Sequence, residues 1–324
     1  MKTFKSVLAS FIVFAFIAAG LTSCNNKGTH AQKNKEAAIT QNVVKPDTLN
    51  MSKDTLALRV QQRTMKEIQK QQAKIAKEAV AVVTQTNNAI SDLQGKHIKK
   101  AEEALRTAME NTKVLLKKNP NVVLFPVDES VSIHDLVTTI PQINKTIKTV
   151  KTLIAKGEYQ EAAGLLNNLK SEMTISTVNL PIGNYPDGLK QAIKLLAKNK
   201  TNQAEQLLTG MMNSLVVNQV AIPLPILRAQ VMMAESKMFF NKKEDKSKVV
   251  NLLENADYQL KLAQALGYGN FDKEYTTISK EIAQVKESVK NGNASNDIFE
   301  KLMKKTENFK NRIIKEGKKV KQAG

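Results

Sequence analysis

The chain has 324 residues, 49 lysines and arginines against 30 acids for a formal charge of +19, and one cysteine; that length allows one large or two small domains, and a lone cysteine excludes an internal disulfide. A basic excess raises nucleic acid as a partner, but only five of the 49 are arginine and tryptophan is absent. Without arginine forks to grip phosphates or a basic stretch interleaved with aromatics to stack bases, the charge reads as lysine-rich helix surface and nucleic acid is set aside.

Residues 1–23 read as a signal peptide. Lys2 and Lys5 form a positive start, and Val7 to Gly20 is an uncharged, largely apolar run of 14 residues. A membrane-spanning helix needs about 20 such residues, whereas a cleaved leader with small residues near the cut needs fewer. Leu21-Thr22-Ser23-Cys24 resembles a lipobox, which implies cleavage between Ser23 and Cys24 and a diacylglycerol on the Cys24 thiol. An ordinary leader with an incidental cysteine is the alternative. Asn25, rather than aspartate, follows the cysteine, and by the same resemblance this favours the outer membrane, facing the periplasm, with the inner membrane and the cell surface as the alternatives. The expected membrane contact is therefore the lipid anchor.

Residues 24–52 are polar and aperiodic and read as a flexible tether. Residues 53–314 then carry helical periodicity. Ile68, Ile75, Ala79, Val82, Ala89 and Leu93 share one face of a helix from Asp54 to Leu93, ended by Gly95. Ile98, Ala101, Leu105, Ala108, Thr112 and Leu115 mark a second helix, stopped before Asn119-Pro120. Ser132 and Asp135 predict the cap of a third, from Ile133 to Lys156, with Pro141 demanding a kink or a late start. Phe271, Tyr275, Ile278, Ile282, Val285 and Val289 form another stripe, and Ile298, Leu302, Phe309 and Ile313 the last. Residues 315–324 read as a basic tail.

Three polar turns, at Lys156-Gly157, Lys198-Asn199 and Lys242-Lys243, precede helices anchored by Ala162, Ala204 and Val249. Ala101 heads a weaker copy. Spacings of 42 and 45 residues differ from the 34 of a tetratricopeptide array, so helical hairpins with shared turn chemistry are preferred over a peptide-binding array. Three segments break the rhythm: Val122 to Val127, Thr174 to Pro186 and Val216 to Pro225. Their β-branched residues and prolines predict buried extended connections, paired at most as a minor two-stranded piece. The fold class is all-α, antiparallel helical hairpins or a bundle with short extended segments between helices.

Chemistry is sparse. His30, His97 and His134 are isolated from one another and from cysteine, and no nucleophile elbow, phosphate loop or dinucleotide fingerprint is present. No catalytic residue, metal site or cofactor is expected, and the chain reads as a non-enzyme. The candidate binding surface is placed at the aliphatic-Pro steps and their neighbours: Pro181, Pro223, Pro225, Tyr268 and Glu172. Extended backbone and helix starts there are expected to expose unpaired donors and acceptors.

The ordered set KGEYQEAAGLLNNLKSEMTISTVNLPIG, the Ala204 helix, VAIPLPILRAQ and LLENADYQLKLAQALGYG resembles the YfdX family over about Thr64 to Ile282. The Pro223–Pro225 and Leu266–Tyr268 motifs carry most of that specificity. The resemblance implies an all-helical periplasmic protein linked to stress responses, with no catalytic residues to transfer. Binding of an envelope protein or a small apolar ligand is the expected role. A structural helical spacer in an envelope assembly, or a binder of anionic envelope components, are the alternatives. Homo-oligomers stay open.

Overall fold

A computed structural model describes residues 45–46, 48–269 and 272–322, without the side chains of 272 and 316–322. The chain divides into two compact units, Met1–Ala37 and Ala38–Gly324. The first, with Ser23, Cys24 and His30, lies outside the described residues; all that follows concerns the second.

Its elements run α1 (Lys53–Gln72), α2 (Lys77–Gln94), α3 (Ile98–Lys118), β1 (Leu124–His134), α4 (Ile140–Ala155), α5 (Tyr159–Asn168), β2 (Glu172–Pro181), α6 (Tyr185–Ala197), α7 (Thr201–Asn213), β3 (Val216–Pro223), α8 (Leu224–Asn241), α9 (Lys246–Ala265), α10 (Asp272–Asn291) and α11 (Asn296–Gln322). The architecture is predominantly helical, as the periodicity implies. One core joins α2, α3, α6 and α7; another joins α8 to α11. Helix α8 is apolar nearly all round and buried along most of its length, as a central helix must be. Between the cores lies a sheet whose buried residues Met173, Ile175, Val220 and Ile222 pack with Leu224 and Leu227 at the start of α8.

Four expectations change. The single helix from Asp54 to Leu93 is two, broken at 73–76. Its residues serve different cores: Ile68 packs beneath the sheet, while Ala79, Val82, Ala89 and Leu93 pack against α3, α6 and α7. Tertiary packing splits what local periodicity joins. The helix placed from Ile133 starts instead at Ile140, where Thr139 and Gln142 form a reciprocal capping box and Pro141 sits in the first turn. A proline there loses no helical hydrogen bond, so the late start prevails over the kink. Val131, Ser132, Ile133 and His134 belong to β1, paired with Ile175, Thr174, Met173 and Glu172.

The extended segments form more than a minor pair. They make a three-stranded antiparallel sheet in the order β1-β2-β3. Finally, packed structure extends past both ends of the helical region as read. Backbone helix continues through the expected tail to Gln322. At the front, Leu49 and Met51 pack on the α8–α11 core, and Asn255 donates to the Thr48 carbonyl at 2.9 Å. The tether therefore ends docked rather than free. Phe271 lies outside the described residues, but the rest of its stripe, from Tyr275 to Val289, is buried.

The turn chemistry is shared, as the hairpin reading requires. After α2, α4, α6 and α8, a left-handed residue (Lys96, Gly157, Asn199, Lys243) is followed by an N–H that reaches back to the helix. His97, Glu158, Lys200 and Glu244 donate to the carbonyls of Asp92, Leu153, Leu195 and Phe239. This is the Schellman closure, which satisfies terminal carbonyls and reverses the chain. Ala162, Ala204 and Val249 are all buried on the returning helices.

One core-facing carboxyl is poorly placed. Glu129 of β1 has both carboxyl oxygens enclosed without a hydrogen-bond partner. Burial raises its pKa above the ordinary carboxylate value against the pull of Lys74, and Asp128 adds to the rise. A raised value means that the folded state holds the proton more tightly. The stability that this group contributes is present below the ordinary carboxylate pKa and is lost as pH rises through the raised one. Glu129→Gln should therefore melt at a higher temperature than the parent at pH 7, with the gap closing at pH 4. Thermal melts at both values check it; an equal gap at both contradicts it.

Candidate ligand groove beside the first helix

Helix α1 is capped by Ser52, whose hydroxyl accepts the Thr55 N–H at 3.0 Å. Its apolar side is narrow, with Leu56, Val60 and Ile68 only half-buried and Thr64 alone fully so. Polar bonds do much of the holding. Arg59 pairs with Glu235 at 3.0 Å, Arg63 donates to Gln230 at 3.0 Å, and Glu67 meets Lys310 at 2.8 Å. Lys310 has a side chain only 1% exposed and also pairs with Glu307 at 2.9 Å. Gln230 links the set by donating to Glu307 at 2.9 Å. Burial alone would raise the Glu67 carboxyl, yet hydrogen bonds and charge from Lys310 and Lys70 hold it below its usual value.

Because α1 touches the body along a seam, a groove opens on each side. One, of about 630 Å³, runs between α1 and α8 and is lined by many charged or amide side chains, among them Arg59, Arg63, Lys66 and Glu235. The other, of about 310 Å³, lies between α1, the end of β1 and the start of α8. Leu56, Ala57, Val60, Ile133 and Leu224 give it an apolar wall, with Lys53, Asp135 and Arg228 as charged groups. Its size and its few polar groups on an apolar wall suit a small ligand.

The expected site residues are placed unevenly. Glu172 faces Pro223 across β2 and β3. Beside them Ser171 is a crossing point: its N–H donates to the Tyr268 hydroxyl at 2.8 Å, and its carbonyl accepts from Leu224 N–H at 2.9 Å. Its hydroxyl donates to Asp135 at 3.0 Å, and Asp135 holds Arg228 at 2.5 Å. Burial, then the Glu172 carboxylate, push the Tyr268 hydroxyl far above the usual tyrosine range, so it stays a neutral phenol. Tyr275 donates to the Tyr268 carbonyl at 2.6 Å. Glu172, Pro223, Pro225 and Tyr268 thus gather at one end of the sheet. Pro181 does not: it closes the opposite end of β2, across from Leu124.

The reason given for that site needs correction. Pro223 and Pro225 are buried, so they present no surface, and the neighbouring Leu224 N–H is satisfied by Ser171. What reaches the groove is Arg228, one α-helical turn on from Leu224, and its partner Asp135. Sequence reasoning used Asp135 only as a helix cap and counted Arg228 only in the arginine tally. Of the histidines, His97 sits 3.8 Å from Asp92, and His134 ends β1 exposed. Among the described residues no group of three or more His, Cys, Asp or Glu could hold a metal ion.

Residues 82–221 match the family model described as YfdX protein. Over those 140 of its 324 residues the chain resembles the YfdX family. Among solved structures it is similar to that of Salmonella Typhi YfdX, at 14% identity and a TM-score of 0.33, covering 46% of this chain and 93% of that one. Comparison with curated proteins finds no match. The YfdX match includes all of β1 and β2 and most of β3 but stops short of Leu224 and Arg228, and it starts after α1. The groove therefore joins Ile133 and Asp135 of the YfdX region to walls that lie outside it.

Proposed function

We propose that the protein is a non-enzymatic envelope lipoprotein of the YfdX type, anchored through Cys24 in the outer membrane and facing the periplasm, that binds a small apolar molecule during envelope stress. The observation that carries the reading is the groove between α1, β1 and α8, where an apolar wall meets Lys53, Arg228 and Asp135. Two cations against one carboxylate favour a ligand with an anionic end. No described helix is long and apolar enough to cross a membrane, so the anchorage rests on the lipobox resemblance.

Anilinonaphthalene sulfonate, an apolar body with one negative group, is a fitting probe. Titrated into the full chain, it should bind saturably, and Ala57→Trp, which fills the groove from an exposed position on α1, should weaken binding at least about tenfold. Unchanged affinity in that variant removes the groove from the proposal. The anchor is tested separately: Cys24→Ala should leave the circular dichroism spectrum unchanged and move the protein from the membrane to the soluble fraction. A variant that stays with the membrane contradicts lipid anchorage.

A further inference from the structure

The hairpin of α4 and α5 is held at one end only. At its open end Ile140, Ile143 and Ile147 of α4 and Leu169 after α5 pack with Tyr258, Leu262 and Ala265 of α9. Toward the closed end the two helices pack mainly on each other, with Val150 and Ala162 buried. The turn between them, at Lys156 and Gly157, is exposed. Ile154 and Tyr159 flank that turn and are 46% and 66% exposed. Leu166, two turns on from Tyr159 and so on the same face of α5, is 49% exposed. A single exposed aliphatic residue needs no explanation, but three large apolar side chains fall within the 13 residues from Ile154 to Leu166.

Their neighbours are basic. Lys145, Lys148, Lys151, Lys156 and Lys170 are all exposed, and the hairpin's acids are Glu158 and Glu161, so five lysines against two acids leave a net +3. On α9, which packs against the base, Asp257 and Lys261 pair at 2.7 Å and that pair adds no net charge. Aliphatic side chains and a tyrosine ring suit the boundary between water and lipid. Lysine stems lie along an apolar surface while the ammonium stays in water, and the combination marks elements that rest in a membrane interface. We propose that the closed end of the α4–α5 hairpin rests on an anionic phospholipid surface, with Ile154, Tyr159 and Leu166 entering the headgroup layer and the lysines meeting phosphates.

This rests on the lipid anchor proposed above only for proximity. The 24 residues from Cys24 to Thr48 span at most about 80 Å, so an anchored body stays within reach of the bilayer. Anchorage also sets the strength required. One myristoyl chain binds membranes only marginally, at about 10⁴ M⁻¹, and three side chains already half-covered by protein have less apolar surface to bury. Salt screens the charge. The hairpin therefore does not hold an unanchored chain on the membrane; it orients an anchored one, for which the contact is intramolecular.

The chain has no tryptophan and one cysteine, which makes a site-specific test possible. The full chain is coupled through Cys24 to maleimide lipid in phosphatidylcholine vesicles with or without phosphatidylglycerol, so proximity is supplied whether or not cells lipidate the cysteine. One tryptophan is placed at Tyr159, at Leu58 on α1 or at Val217 on β3, the last two being 54% and 58% exposed. With phosphatidylglycerol, Tyr159→Trp emission should shift to the blue and be quenched by brominated lipid, and both effects should fade at high salt. Leu58→Trp and Val217→Trp should show neither. Adding Ile154→Glu and Leu166→Glu, both at exposed positions, should abolish the Tyr159→Trp response and leave the circular dichroism spectrum unchanged. Equal quenching at all three positions overturns the proposal. So does a Tyr159→Trp response that is absent, or no larger with phosphatidylglycerol than without it. A failed anchor shows separately, in the Cys24→Ala fractionation, and leaves this result untouched.

Discussion

Glu67→Ala is expected to destabilise the protein by about 3–5 kcal/mol, the usual consequence of removing one partner from a buried pair. Lys310 is the reason. It is fully buried and holds Glu67 at 2.8 Å and Glu307 at 2.9 Å. Without Glu67 the ammonium keeps one carboxylate, and that carboxylate is itself shared with Gln230. Replacing both Glu67 and Lys310 by methionine should cost much less, since no buried charge is then stranded. Urea unfolding of the single and double variants measures the coupling. A single variant within about 1 kcal/mol of the parent would mean that α1 is not held by this network.

Phe309→Ala should cost a similar amount, about 3–5 kcal/mol, for a different reason. Phe309 is completely buried in the α8–α11 core, with its ring edge-on to Tyr275 at 4.7 Å and an interplanar angle of 83°. Alanine leaves a cavity that the surrounding helices can only partly close, and it removes the aromatic pair, itself worth about 0.5–1.5 kcal/mol. Phe309→Leu keeps most of the volume and should cost clearly less. The two variants, compared by urea midpoint at constant slope, separate cavity from shape. Equal midpoints for both would contradict a tightly filled site.

These two predictions mark the limits of what the sequence made legible. The stripes of α2, α3, α10 and α11 could be read from their spacing, because apolar residues on one helix face carry a local period. Phe309 was already on such a stripe. Lys310 was not noticed, although it follows Leu302 and Thr306 at spacings of four and so faces the core. A charged residue on an apolar face was the available signal for the buried network. Its partner Glu67 on α1 lies 243 residues away in the chain, and Gln230 on α8, which joins the network through Glu307, lies 80 away; nothing local announces such a network.

The sheet failed to register for a related reason. Ser132 and Asp135 make a plausible cap in isolation, but the ladder pairs Ser132 with Thr174 and Asp135 turns to Ser171 and Arg228, and long-range contacts outweigh a local preference. The prolines were correctly sensed as the place where strand becomes helix. Their burial was not, because a proline step says where the chain turns and not which side of it meets water. The polar end of the groove shows the gap most clearly. Lys53, Asp135 and Arg228 come from three distant segments, brought together by the α1 seam and the β3–α8 junction.

Hydrogen exchange of the full chain, with and without saturating anilinonaphthalene sulfonate, tests the groove most directly. Bound probe should slow exchange in α1 around Leu56 to Thr64, at Ile133 to Asp135, and at the start of α8, with the rest of the chain unchanged. Protection confined to other segments, or binding that leaves those three unaltered, would contradict the account.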